Sequence, residues 1–342
     1  MNIEVAKKMV DIVLSNSTFQ NCQSAVFDFI GGEPLLEIDL INDVLKYLDQ
    51  RLVQLQHHWT DKYSINITTN GLLYHKEEVQ KLINKYNKRL TISISIDGTQ
   101  QKHDLNRIYS NGKGSWKDIQ DNVKLWISQY PSANTRMTIS HSDLQYVFES
   151  LVYLVNLGIT NIDVNPVLED VWQDGDNVTF QKQLILFADY IIDNNLQNKL
   201  IISCFNRTLG YSYNCVEHKT PCGEHILTVD SDGNLYTCLR FAQFSLRNKP
   251  ARKIGNVWTG IDENKMRPFL SLSLRLSNPG ECEKCEIATG CKYCPAENYD
   301  CSNIDSIFTR STANCLMHQS IVEAKNYYYN KLKNNSILYA RN

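Results

Sequence analysis

The sequence has 342 residues, of which 42% are hydrophobic, 21% charged and 10% aromatic, which fits one large folded domain with an appendage or two domains and excludes a disordered chain. A formal net charge of −2 gives no field to gather nucleic acid or an anionic membrane, and no stretch approaches the ~18–20 consecutive apolar residues of a bilayer helix. Of 11 cysteines, ten follow residue 200, a clustering that suits metal binding in a reducing cytoplasm and not a disulfide scaffold.

Val5, Met9 and Val13, with Ala6, Val10 and Leu14, stand at helical spacing, so the chain is expected to open in a helix with no strand before it. Charges run through the apolar positions of this stretch, which is expected to be neither signal peptide nor anchor. β-Branched runs predict strands at residues 25–30, 63–68, 90–96, 135–140 and 161–167. Between them lie helical stripes such as Leu40, Val44 and Leu48, and Leu144, Phe148, Leu151 and Val155. This alternation predicts right-handed crossovers and a mostly parallel sheet, either part of a barrel or an open doubly wound sheet. Past residue 205 the character changes. Residues 226–238 read as a hairpin turning at Asp232 and Gly233, a cysteine-rich region follows, and a closing helix is predicted over about 313–332.

Cys282, Cys285, Cys291 and Cys294 place four thiols within thirteen residues, with Cys215, Cys222 and Cys238 before them and Cys301 and Cys315 after. Thiolates this close repel or oxidise unless a metal neutralises them. Zinc modules separate their Cys-x2-Cys knuckles by about 15–20 residues, so the short interval here favours iron–sulfur, and eight cysteines would hold two four-iron clusters.

The ends of the first three predicted strands share a second signal. Gly31, Gly32, Glu33 and Pro34 follow the first, Asn70 and Gly71 the second, and Ser95, Asp97 and Gly98 the third, with His103, Asp104 and Arg107 beyond. Glycines there permit close backbone approach to a ligand, and a carboxylate suits an ammonium group. One such end is an ordinary turn. Three at one edge of a parallel sheet describe a binding site.

The order GGEP, TNG, SIDG-x4-HD-x2-R and then a cysteine-rich tail resembles the radical S-adenosylmethionine (SAM) enzymes that bear a SPASM domain. The resemblance implies a partial (β/α) barrel lacking its first strand over residues 1–205, and a SPASM domain with a C-terminal helix over 206–342. It implies two auxiliary [4Fe-4S] clusters, one on Cys215, Cys222, Cys238 and Cys294 and one on Cys282, Cys285, Cys291 and Cys315. The family spaces the last pair by three residues where this chain has two, so Cys301 is the alternative to Cys294. It further implies that Gly31, Gly32, Glu33, Pro34, Asn70, Ser95, Asp97 and Arg107 bind SAM, with Glu33 on its ammonium and Ser95 and Arg107 on its ribose or carboxylate side.

Residues 164–176, 238–249, 254–262 and 290–300 resemble more closely the maturases of CXXX-repeat target peptides, which implies thioether cross-linking of a ribosomally made precursor peptide in the cytoplasm, with flavodoxin or ferredoxin as electron donor. Leu239 stands where sulfatase-maturing relatives have an aspartate base, which argues against formylglycine formation. The family's CxxxCxxC loop, which binds the SAM-cleaving cluster, is missing: Cys22 stands alone and reads as a small buried hydrophobe. The chain is therefore expected to begin just after that loop, and a third cluster is expected only in a form that carries it. Two other classes stay open, a catalytically dead iron–sulfur protein that binds peptide or electron partners, and a zinc-stabilised structural protein.

Overall fold

The computed structural model describes residues 1–169, 171–212, 222, 225–272 and 280–339. The first part runs α1 (Ile3–Ser15), α2 (Ser17–Gln20), β1 (Ala25–Phe29), α3 (Ile38–Gln54), β2 (Tyr63–Thr69), α4 (Glu77–Tyr86), β3 (Leu90–Ile94), α5 (Gln100–Asn106) and α6 (Trp116–Gln129). It continues with β4 (Asn134–Ile139), α7 (Val147–Asn156), β5 (Asn161–Pro166), α8 (Asp176–Asp193) and β6 (Ile201–Ile202). The cysteine-rich part has β7 (Thr228–Val229), β8 (Asn234–Tyr236), β9 (Gly255–Asn256), β10 (Gly260–Ile261), α9 (Glu263–Leu270), α10 (Gly280–Glu283), α11 (Pro295–Cys301) and α12 (Cys315–Tyr339).

All five predicted strands form, and all pair in parallel, in the orders β1-β2-β3 and β4-β5-β6. The two sheets meet between β3 and β4, where the Thr135 hydroxyl donates to the Ile94 carbonyl at 3.0 Å. Alternation explains the strands: β2 buries Tyr63, Ile65, Ile67 and Thr69 on one face and leaves the other less covered. β1 is the edge, and Val26 on it is 66% exposed.

Two local differences from expectation have physical causes. Residues 141–146 form a tighter 3-10 stretch ahead of α7, because Ser140 and Asp143 cap each other's backbone N–H groups reciprocally. The two-residue β6 pairs with β5 inside an apolar run too short for alternation to reveal.

The hairpin forms as expected, with Gly233 at φ 81° and β7 antiparallel to β8. A Cβ at Gly233 would stand 2.7 Å from Val257 Cγ2, so the turn needs glycine for conformation and for space. Two hydrophobic cores result. The larger joins the parallel sheets and their helices with Met317, Ala324 and Tyr328 of α12; the smaller joins Leu235, Phe241, Ile254, Phe269 and Tyr299 with Val5 of α1. The closing helix thus belongs to the first core, and the opening helix reaches the second. Among the described residues no helix is long and apolar enough to cross a membrane.

Candidate functional site

Parallel pairing brings the three polar strand ends together. Gly31 and Gly32 turn the chain out of β1 at φ 101° and 54°, and a Cβ on either would meet nothing within 4 Å, so the turn borders open space. Glu33 then caps the 3-10 turn that begins at buried Pro34. Its Oε1 accepts from Leu35 N at 3.0 Å and from the Thr69 hydroxyl at 2.5 Å; its Oε2 accepts from Asn70 N at 2.8 Å. Those bonds lock the ends of β1 and β2 together and leave Oε2 a second lone pair for a cation. Asn70 turns its own side chain inward, accepting from Leu72 N at 2.9 Å.

The end of β3 is a lock of a different kind. Ser95 donates its N–H to the Thr69 carbonyl at 2.9 Å, keeping β3 beside β2. Asp97 is buried, pairs with the Arg107 guanidinium through both oxygens, and accepts from Thr138 N at 2.9 Å, which ties β4 to the same point. Nε and Nη2 of Arg107 are committed to that pair. His103 Nδ1 receives Asp97 N–H at 3.4 Å, so Nε2 carries the hydrogen and donates to Ser115 Oγ at 3.1 Å, which in turn donates to the Arg107 carbonyl at 2.8 Å. Burial, the leading cause, holds the His103 imidazole down to about 4, so it is neutral. Asp104 accepts from Trp116 N at 2.9 Å and starts α6. The SIDG-x4-HD-x2-R motif is thus a fastening between strands, with Ser95, Asp104 and Arg107 half-buried and its other named members buried.

The cysteines fall into two groups. Cys222 hydrogen-bonds to Cys238, and this bond, with the Arg240 N–H and guanidinium, brings the Cys238 thiol down to about 6 against the pull of burial. Cys294 lies within electrostatic reach of Cys238 and Arg240; burial pushes its thiol up, while Ala296 N and Glu297 N at the start of α11 oppose that. Cys291 lies within reach of Cys282, Cys285 and Cys315, with Arg310 as the nearby cation; burial pushes its thiol up. Cys215 lies outside the described residues. Cys301 stands apart from both groups, donating to Glu297 Oε1 at 3.1 Å, and burial with that bond pushes it up to about 12. Cys204 is buried in the first core; Cys22, expected as a small buried hydrophobe, packs against that core only partly buried, with its sulfur 3.9 Å from His225 Nδ1.

Among the described residues no three His, Cys, Asp or Glu side chains converge as a single metal ion requires. The donor set at Cys238 also fits an anionic cluster. Arg240 Nε and Thr237 Oγ1 are buried without a hydrogen-bond partner, and both belong to residues flanking Cys238.

The loop after β5 joins the cysteine groups to the strand ends. Lys292, between Cys291 and Cys294, donates to Asn165 Oδ1 at 2.5 Å and to the Pro166 carbonyl at 2.8 Å. Burial brings its ammonium down to about 8. Arg240 reaches Glu169, and Asn314, next to Cys315, donates to the Leu168 carbonyl and accepts from Trp172 Nε1. At the end of β4, His141 Nδ1 stands 2.9 Å from both oxygens of Asp176, itself buried. Sequence reading missed Lys292, Glu169, Arg240 and His141. The first three lie inside stretches that resemble the peptide maturases; His141 has no sequence signal, because its partner is thirty-five residues away.

No protein-family model matches the chain. It is 27% identical over 164 residues to an uncharacterized protein of Methanocaldococcus jannaschii, 47% of this chain and 51% of that protein, about half its length. It is 22% identical over 321 residues to the cysteine-type anaerobic sulfatase-maturating enzyme of Clostridium novyi, 86% of this chain and 80% of the enzyme. Among solved structures, native anSMEcpe with bound AdoMet and the Kp18Cys peptide superposes with a TM-score of 0.68 at 21% identity, over 98% of this chain and 90% of that one. SuiB of Streptococcus suis bound to S-adenosylmethionine gives a TM-score of 0.55 at 15% identity, over 90% and 69%. The chain shares the fold of anSMEcpe and SuiB. In sequence it is similar to a sulfatase-maturating enzyme.

Proposed function

We propose that this protein is a radical SAM peptide maturase that installs thioether cross-links in a ribosomally made, cysteine-repeat precursor peptide. The observation that carries the reading is the sorting of the cysteines. Seven of the eight expected cluster ligands lie in the described residues, and their neighbours support a reading in two sets: Cys238 is influenced by Cys222, Cys294 by Cys238, and Cys291 by Cys282, Cys285 and Cys315. We assign Cys294 in preference to Cys301 to the first set, because Cys238 and Arg240 act on Cys294 whereas Cys301 donates to Glu297, and Cys215 is the expected fourth member. Leu239 following Cys238 favours peptide cross-linking over formylglycine formation, and the capture of both anSMEcpe and SuiB with peptides suits a peptide substrate.

When bound, SAM with its cluster supplies a hydrogen-abstracting radical, and the auxiliary clusters supply thiolate ligation and an electron acceptor. This chain's residues do the rest. The Gly31–Gly32 turn leaves room for the cofactor backbone, Glu33 Oε2 takes the ammonium, and Ser95 and Arg107 line the ribose or carboxylate side, while Asp97 fixes Arg107 in place. Peptide lies along the loop after β5, between the strand ends and the cysteines. Flavodoxin or ferredoxin is the proposed electron donor, in the cytoplasm.

The sequence contains no CxxxCxxC, which favours a second reading for the chain as it stands, an iron–sulfur protein that binds peptide without cleaving SAM. Anaerobic reconstitution tests the shared part. About eight irons per chain with broad visible absorbance are expected, and a colourless zinc protein would overturn both readings. Incubating a form that carries the loop with SAM, dithionite and a CXXX-repeat peptide is expected to remove two hydrogens per link, by mass spectrometry. Formylglycine in the product instead would refute the thioether assignment.

A further inference from the structure

Arg240 is held in an arrangement that its ion pairs do not explain. Its Nη2 donates to Glu169 Oε1 at 2.8 Å and to Glu297 Oε2 at 3.0 Å, so one corner of the guanidinium satisfies two carboxylates. Nε is buried and has no partner. A buried N–H left unpaired is costly, and that cost persists only where something else accepts the hydrogen or the strain serves a purpose. The neighbours name the acceptor. The Arg240 backbone N–H already bonds to the Cys238 sulfur, and the guanidinium bonds Glu297 in the first turn of α11, the helix that Cys294 caps. The unpaired Nε thus belongs to a residue held between Cys238 and Cys294.

We infer that Arg240 is the residue that sets the reduction potential of the auxiliary cluster at this group, and that Glu169 opposes it from the substrate side. The inference rests on the two-cluster reading above. The couple takes up one electron and no proton, so the reduced centre is one charge more negative. A cation and an N–H donor beside its sulfurs stabilise the reduced form and raise the potential. Glu169 partly cancels that cation. It sits just beyond β5, in the loop that joins the strand ends to the cysteines, whereas Glu297 is buried in α11 and also bonds Arg247 at 3.3 Å. A peptide cation that draws Glu169 away would strengthen the effective charge of Arg240 and make the cluster a better electron acceptor only when substrate is in place.

The test is an EPR-monitored redox titration of the reconstituted protein with dithionite, with iron and sulfide counted in every variant. Arg240→Gln is expected to move one of the two couples to more negative potential and leave the other where it is. Glu169→Gln is expected to move that same couple the opposite way. Arg240→Lys keeps the charge but not the Nε donor, and is expected to give a smaller negative shift; it also serves if the glutamine variant loses iron. Unchanged couples in iron-replete Arg240→Gln, or shifts of one sign in both the Arg240 and Glu169 variants, would overturn the inference while leaving the cluster assignment intact. A wild-type chain that takes up no iron would overturn both.

Discussion

His103 and Lys102 are neighbours in sequence and both buried, yet they pose opposite electrostatic problems. His103 is buried neutral, held down to about 4 from an ordinary value near 6.5. Below that ordinary value the unfolded chain binds a proton that the folded chain refuses, so stability falls as pH drops from 6.5 toward 4, by on the order of 3 kcal/mol. Urea midpoints measured across that range should decline steeply in wild type and less in His103→Gln; equal slopes would exclude His103 as the cause. Lys102 is buried charged. Its ammonium bonds the Thr138 carbonyl at 2.5 Å and Asp143 Oδ2 at 3.1 Å, and Asp143 also receives Ser140 N at 2.9 Å. Removing the cation strands a buried carboxylate, so Lys102→Met is expected to cost about 3–5 kcal/mol. Adding Asp143→Asn, which keeps an acceptor for Ser140, should recover part of the loss in the same urea assay. A single variant within 1 kcal/mol or so of wild type would show that the pair is solvated after all.

At the scale of elements, the cysteine-rich segments have little else to hold them. The segment from Cys282 to Cys291 holds only the end of single-turn α10 (Gly280–Glu283) and contributes one buried apolar side chain, Ala288, so metal ligation would supply most of its folding energy. Cys282→Ala with Cys285→Ala is expected to remove one cluster, about four irons, and lower the melting temperature, as read by iron assay and calorimetry. Unchanged iron and melting in that variant would refute the ligand set. The same contrast explains what could be read in the sequence. Strands β1 to β5 alternate or run apolar over five residues or more, and their positions are legible to within two residues of either end. The hairpin is legible at Gly233, where turn chemistry is local. The two-residue β6, β9 and β10 have no period to detect. The site divides the same way. Motif spacing reveals which residues gather at the strand ends and that the cysteines are dense after residue 200, because those residue types are scarce; the division of the cysteines into two sets comes from the family resemblance, since by interval Cys294 stands with Cys291. Spacing does not reveal that Asp97 spends itself on Arg107 and Thr138, or that Arg240 faces Glu169 across seventy-one residues, since only the folded chain makes those contacts.

The whole molecule is fastened by its two ends. Val5 of α1 enters the core of the cysteine-rich part, and Met317, Ala324 and Tyr328 of α12 enter the core around the parallel sheets. Polar bonds follow the same path: Ser320 donates to the Asn177 carbonyl at 2.8 Å, Tyr329 to the Phe205 carbonyl at 2.8 Å, and Lys331 pairs with Asp189 at 2.6 Å. Cys315 is the first residue of α12 and a proposed ligand of the second cluster. Iron there would fix the start of the helix whose body covers α8, so the metal should stabilise a helix that carries no cysteine. Hydrogen exchange compares the reconstituted protein with the same protein after anaerobic chelation of its iron. Protection is expected to fall on chelation in α8 as well as in residues 282–294, while α4, on the sheet that α12 does not cover, keeps its protection. Cys315→Ser should reproduce the α8 loss without chelation. If α8 exchanges identically with and without iron, the two parts are energetically separate and the closing helix is only a passive cover.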